Sequence, residues 1–225
     1  MSRDEHPEGP RVRRGERRGE HPHERLEVAR ALLRRSTEAS SSSRTSAPSR
    51  PVPAILRELL PHGVRRGSVV VVRGSSSLLL AMLGEMSRDE AWVALVGLPA
   101  LGLQAARQQG VDLARAVVVP RPQDRSAGVV ASLVDGIDVV VCGPEVVLTD
   151  AERRRLTGRV RDRQAVLLST SPWQGAAVDL DVPQRRWSGL EAGSGRLRDL
   201  QMVVARRDHG PERRLEVEPW ARRAG

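Results

Sequence analysis

Between residues 67 and 171 the chain alternates short apolar runs with longer stretches in which apolar residues recur at helical spacing. The apolar runs cover residues 69–72, 92–96, 116–119, 137–142, with Asp138 its one polar residue, and 165–168. Runs without polar alternation suit strands that are covered on both faces. The intervening stretches, 76–86, 101–109, 126–134 and 149–163, read as helices, with Gly110 as a C-terminal stop and Thr149 and Asp150 as capping candidates. Strands that alternate with helices join through crossover connections into a parallel sheet. The pattern therefore predicts an α/β fold, a mostly parallel central sheet flanked by helices.

Past Pro172 the texture changes. Residues 185–189, 200–206 and 214–218 read as short strands separated by turn-rich stretches at 192–195 and 208–211. About 40 residues build a poor independent core, so an antiparallel extension of the same sheet is expected rather than a second domain. At the other end, residues 1–23 are polar and charged, and residues 36–53 form a Ser/Pro/Arg-rich stretch; both are expected to be disordered. Residues 24–35 carry Leu26, Ala29, Leu32 and Leu33 at helical spacing and predict a short amphipathic helix. The expected organisation is a basic tail over 1–53, a core over 54–182 and a basic, strand-rich extension over 183–225.

Composition sharpens this picture in three places. The chain holds no Phe or Tyr among its 225 residues, so the core must consist of Val, Leu and Ala with a few Trp. The one cysteine, Cys142, excludes an internal disulfide, and its place at the end of a buried strand predicts an inert thiol. The net charge of +9 is unevenly spread, with the two ends basic and the centre near neutral, which suits termini that meet an anionic partner such as DNA. No apolar stretch at the start reads as a signal peptide, and the longest one, 92–103, is broken by Gly97, Pro99 and Gly102. The expected location is cytoplasmic, with no membrane partner.

Candidate chemistry centres on the junction after the first predicted strand, Val-Val-Arg-Gly-Ser-Ser-Ser-Leu-Leu-Leu-Ala over residues 71–81. A phosphate-binding loop needs a Gly leaving the strand, a second Gly, a Lys and a Ser or Thr for magnesium. With Gly74 as the first of these, the others fall on Leu79, Leu80 and Ala81, and the chain contains no Lys at all. The remaining Gly74, Ser75, Ser76 and Ser77 form a degenerate phosphate loop whose hydroxyls suit a plain helix cap. His6, His21 and His23 lie in the tail, leaving His62 and His209 near the fold, too few for a zinc cluster or a hydrolytic triad. Arg185, Arg186 and Trp187, together with Arg206 and Arg207, combine guanidinium groups with one stacking surface and form the candidate binding set for DNA or a partner protein. The arginines at 153–155, 159, 161 and 163 are interspersed with acids and read as a solvated helix face.

The strand ending at Gly74 and the apolar helix after it, residues 92–103, the segment Gly110-Val111-Asp112-Leu113 before the strand at 116–119, and residues 136–144 resemble the RecA recombinase core in order and spacing. That resemblance covers about half the chain and implies a RecA-like fold. The family's water-orienting acid then corresponds to a position near Pro99, and its magnesium-associated Asp to Gly143. With the cation, the metal ligand and the acid all replaced, the resemblance implies a pseudo-ATPase with no catalytic residues, no metal and no cofactor. In layout and basic tail the chain is similar to the ImuA-type accessory proteins of bacterial damage-induced mutagenesis, particularly the actinobacterial form. Their implied role is that of an adaptor joining a Y-family polymerase subunit to an error-prone replicative-type polymerase, with RecA as a further partner. Two alternatives stand beside it: a cell-division inhibitor of the SulA type, and a DNA-binding module without enzymatic activity.

Overall fold

The computed structural model describes residues 49–191, 194–207 and 211–218. Its centre is an eight-stranded sheet built from β3 (Ser68–Arg73), β4 (Val93–Val96), β5 (Ala116–Val119), β6 (Val139–Cys142), β7 (Val166–Ser169), β8 (Val178–Glu191), β9 (Ser194–Arg206) and β10 (Arg213–Val217), in the spatial order β10-β9-β8-β3-β7-β6-β4-β5. From β8 to β5 neighbouring strands run parallel, whereas β8, β9 and β10 pair antiparallel. The expected α/β architecture with an antiparallel extension is the one observed.

Two apolar layers cover the parallel strands. On one face lies α1 (Ser76–Met86) with α2 (Leu103–Gln108) and the segment around Leu56, Leu59 and Leu60, packed on Val70, Val72, Leu95, Val141 and Leu168. On the other face α3 (Ser126–Gly136) and α4 (Asp150–Arg163) bring Val130, Leu133, Leu156 and Val160 against Val69, Val71, Val140 and Leu167. Alternate residues of each strand feed opposite layers, which is why the strand sequences show no polar alternation. Each Val or Leu buried in this way contributes roughly 1.5–3 kcal/mol. Trp173 fills the second layer, 5% exposed, with its indole N–H donating to Thr157 Oγ1 at 2.9 Å and the Arg153 guanidinium 5.2 Å above its ring.

Helix boundaries follow local chemistry. Thr149 caps α4 with a complete capping box: its hydroxyl accepts from the Glu152 N–H, and the Glu152 carboxylate accepts from the Thr149 N–H at 2.7 Å. The helix expected over 101–109 is shorter, because a turn at Pro99–Ala100, closed by the Leu101 N–H on Leu98 O at 3.2 Å, and an extended Gly102 precede its start at Leu103. The arginines of α4 divide between solvent and structure: Arg159 and Arg163 both pair with Asp135 of α3, whose carboxyl is held below its ordinary range by the hydrogen bond from Arg159.

The structure corrects the sequence reading at both ends. Ser49–Arg50, expected in the disordered tail, form β1, which pairs antiparallel with β2 (Val64–Arg65), and Val52 is buried in the core. The cause is Arg50, whose guanidinium pairs with Asp138 at the foot of β6, the two side chains only 7% and 11% exposed. The second Asp138 oxygen accepts from the Trp92 N–H at 3.0 Å, so one carboxylate ties β1, β4 and β6 together. The rest of the expected tail, its helix at 24–35 included, lies outside the described residues. At the other end, the boundary expected at 182–183 falls inside β8, which begins at Val178 rather than 185.

Removing one partner of a buried ion pair leaves the other uncompensated, so Asp138→Ala is expected to lower stability by about 3–5 kcal/mol. Urea unfolding followed by circular dichroism measures this, and a loss under about 1 kcal/mol would show that Arg50 finds another partner or solvent.

Candidate functional site

In open parallel sheets ligands bind beyond the carboxyl ends of the strands. Here those ends are filled. Only Gly74 and Ser75 separate β3 from α1, and Ser75 is the N-cap, its Oγ accepting from the Leu78 N–H at 3.2 Å. Ser76 is exposed and Ser77 half-buried in the first turn. The helix begins so early that Leu79, Leu80 and Ala81, which stand at the positions of the phosphate-loop Gly, Lys and hydroxyl, lie inside α1, at most 7% exposed. Gly74 is left-handed at φ +79°, and a Cβ there would come within 2.7 Å of the Val182 carbonyl oxygen, so β8 presses its backbone against the junction. That contact coincides with an irregularity of β8 between Asp181 and Gln184, where Pro183 has no N–H to give to a ladder.

The ends of β4 and β6 are closed in the same manner. Gly143 donates its N–H to Val96 O at 2.7 Å, and Glu145 donates to Gly97 O at 3.1 Å. A Cβ on Gly143 would lie 2.3 Å from Gly97 O and 2.4 Å from Leu98 Cγ, so no side chain fits at this position, the one expected from the resemblance to correspond to a magnesium-associated Asp. Pro99, at the other acid position, is an exposed residue of the following loop. Immediately before Gly143, Cys142 is buried, and burial pushes its thiol up to about 12. Among the described residues no three His, Cys, Asp or Glu side chains are grouped so as to hold a metal ion, and His62 is solvent-exposed. No helix among them is long and apolar enough to cross a membrane.

The five residues of the candidate binding set are dispersed by strand alternation. Arg185 stands opposite Met202 and Trp187 opposite Leu200, whose side chains belong to the first apolar layer, while Arg186 stands opposite Gln201 on the other face. Trp187, 40% exposed, therefore borders the end of the core beside the 2%-exposed Leu200. Arg206 donates to Leu59 O and fastens β9 to the segment before β2. Arg207 bridges Asp181 and Glu212 at 2.9 and 3.0 Å. Arg185 and Trp187 thus share one face, Arg186 occupies the other, and Arg206 and Arg207 are engaged within the fold.

The face that carries Arg186 was not singled out by sequence. It bears two cross-strand rows, Gln184–Val203–Glu216 and Arg186–Gln201–Glu218, in which Gln201 Nε2 donates to the Glu218 carboxylate at 3.1 Å. Over them lies an open hollow of about 860 Å³. The polar–apolar alternation of 200–204 and 214–218 was the available signal for this face.

The sequence profile of the MT3502 N-terminal domain matches residues 58–175, more than half of the chain. The chain belongs to that family. Its matched stretch spans β2 to β7 and ends three residues before β8, so the antiparallel extension lies beyond the MT3502 N-terminal domain match. Among curated proteins, Rv3395c of Mycobacterium tuberculosis is 38% identical over 128 residues, which cover 55% of this chain and 63% of that protein. The aligned stretch thus spans less than two thirds of the relative's length.

Two outcomes follow. Gly143→Ala, which forces a methyl group against backbone, is expected to cost about 1–3 kcal/mol, and a neutral result in urea unfolding would show that the 97–99 loop yields. Because the folded Cys142 thiol is raised, the unfolded thiol loses its proton first as pH rises, and this residue's contribution to stability falls between the ordinary value of 9.0 and about 12. Native protein at pH 8 should leave a thiol reagent unconsumed and react only on unfolding; rapid labelling of the native state would contradict the buried placement.

Proposed function

We propose that this MT3502 N-terminal domain protein is a non-catalytic, RecA-like adaptor of the DNA damage response, which supports translesion synthesis and induced mutagenesis by docking error-prone polymerase subunits. The observation that carries the reading is the two-residue β3–α1 junction, where cap, helix and β8 backbone fill the space that a phosphate loop would need. Glycine-to-backbone contact at Gly97 and Gly143 supports it from the neighbouring strands. A sheet whose carboxyl ends are occupied by its own main chain offers its surface rather than a cleft, and the basic extension supplies a surface outside the family domain. The partners in this reading are a Y-family polymerase subunit and an error-prone replicative-type polymerase, with RecA as a third, in the cytoplasm.

Deletion of the extension is a poor test, since Leu200, Met202 and Val204 complete the core and the truncated chain would lose its fold. The experiment is co-purification of the full chain with the Y-family polymerase subunit, together with ATP turnover and thermal shift. A ligand at 100 times its Kd adds about 2.7 kcal/mol, so millimolar ATP is expected to leave the melting temperature unmoved. Capture of the subunit without nucleotide turnover is the expected result. Steady hydrolysis by the pure chain, or failure to capture the subunit, overturns the reading.

A further inference from the structure

The strands from β3 to β7 have an apolar layer on each face, but the extension has only one. Val182, Leu200, Met202, Val204 and Val217 turn toward the layer that holds α1, and the opposite face of β8, β9 and β10 carries the hollow. Over the hollow its charged side chains are segregated across the strands. Arg186 stands on β8 and forms no ion pair among the described residues; Glu216 stands on β10 and Glu218 directly after it; between them β9 contributes Val203 and Gln201.

We infer that this open face of β8, β9 and β10 is the seat of one amphipathic helix of a partner protein, lying along β9 with a small or apolar stripe over Val203, acidic residues on its β8 side and basic residues on its β10 side. The dimensions agree: two strand spacings of about 4.8 Å separate β8 from β10, close to the roughly 10 Å diameter of a helix. The guest helix supplies the missing third layer, as α3 and α4 do for the parallel strands. Arg185 and Arg186 line one side of the hollow and two carboxylates the other, so a partner charged oppositely on its two flanks matches it better than a nucleic acid, whose phosphates the carboxylates repel. Complementary charge on each flank also fixes the direction in which the helix lies.

The inference rests on the adaptor reading for its first probe. Full-length chain is titrated with the Y-family polymerase subunit, then compared with Arg186→Glu and with the double variant Glu216→Arg/Glu218→Arg; circular dichroism melts that match the parent establish that these exposed substitutions leave the fold intact. Each reversal is expected to weaken binding by about tenfold or more, and retention of both affinities within about twofold overturns the seat while leaving the adaptor intact. Should the parent capture no subunit, the adaptor reading fails separately. The seat is then tested with a designed helical peptide, acidic along one flank and basic along the other, against a peptide with the same apolar stripe and uncharged flanks by fluorescence anisotropy. Preference for the first peptide, lost in Arg186→Glu, supports the seat. Equal binding of the two, no binding of either, or tighter binding of a single-stranded oligonucleotide that Arg186→Glu abolishes, overturns it.

Discussion

A parallel sheet can be stable in water only when both of its faces are covered, and that requirement shapes almost every feature of this protein. With no Phe or Tyr available, coverage comes from many Val and Leu side chains and little else. Branched aliphatic side chains of this size pack well only where the elements approach closely, so the parallel strands are short and covered from both sides. The β3–α1 junction is the sharpest case. Starting α1 at Ser76 buries Leu79, Leu80 and Ala81 together, and a longer loop would pull them out of the core. The short junction and the packed apolar layer are therefore one structural feature.

The same economy explains what the sequence disclosed and what it concealed. The apolar runs at 69–72, 137–142 and 165–168 suit doubly covered strands, and the parallel block was legible from them. Thr149, read with Asp150 as a capping candidate, announced the start of α4 because capping is a local matter. Arg50 was concealed because its partner Asp138 lies 88 residues away, and no local pattern marks an arginine that will be buried. β8 was only half seen: Val178, Leu180 and Val182 alternate with Asp179 and Asp181 as a one-sided strand should, but the bulge at Pro183 shifts the phase and breaks the period.

That phase shift also decided how the candidate binding residues fared. Clustering of Arg185, Arg186 and Trp187 along the chain suggested one basic, stacking surface. A strand sends neighbours to opposite faces, so adjacency in sequence is separation in space. What the register assembles instead is a set drawn from three strands, Gln184 and Arg186, Gln201 and Val203, Glu216 and Glu218, none of them conspicuous alone. Surfaces of this kind escape motif reading because their members share a face rather than a segment.

Antiparallel pairing is what permits such a surface. Crossover helices must return over the sheet, so a parallel strand arrives with its covering attached; hairpin strands such as β8 and β9 bring none. The extension meets this by burying one side against the first apolar layer and keeping charged and amide groups on the other. Arg73, Asp179, Asp181, Arg207, Glu212 and Arg214 continue the polar side toward the parallel block as a chain of alternating ion pairs, which satisfies charges beside the last covered strand. Pairs of this exposure each contribute little to stability. Their effect is to leave the polar face solvated and accessible at the border of the packed core.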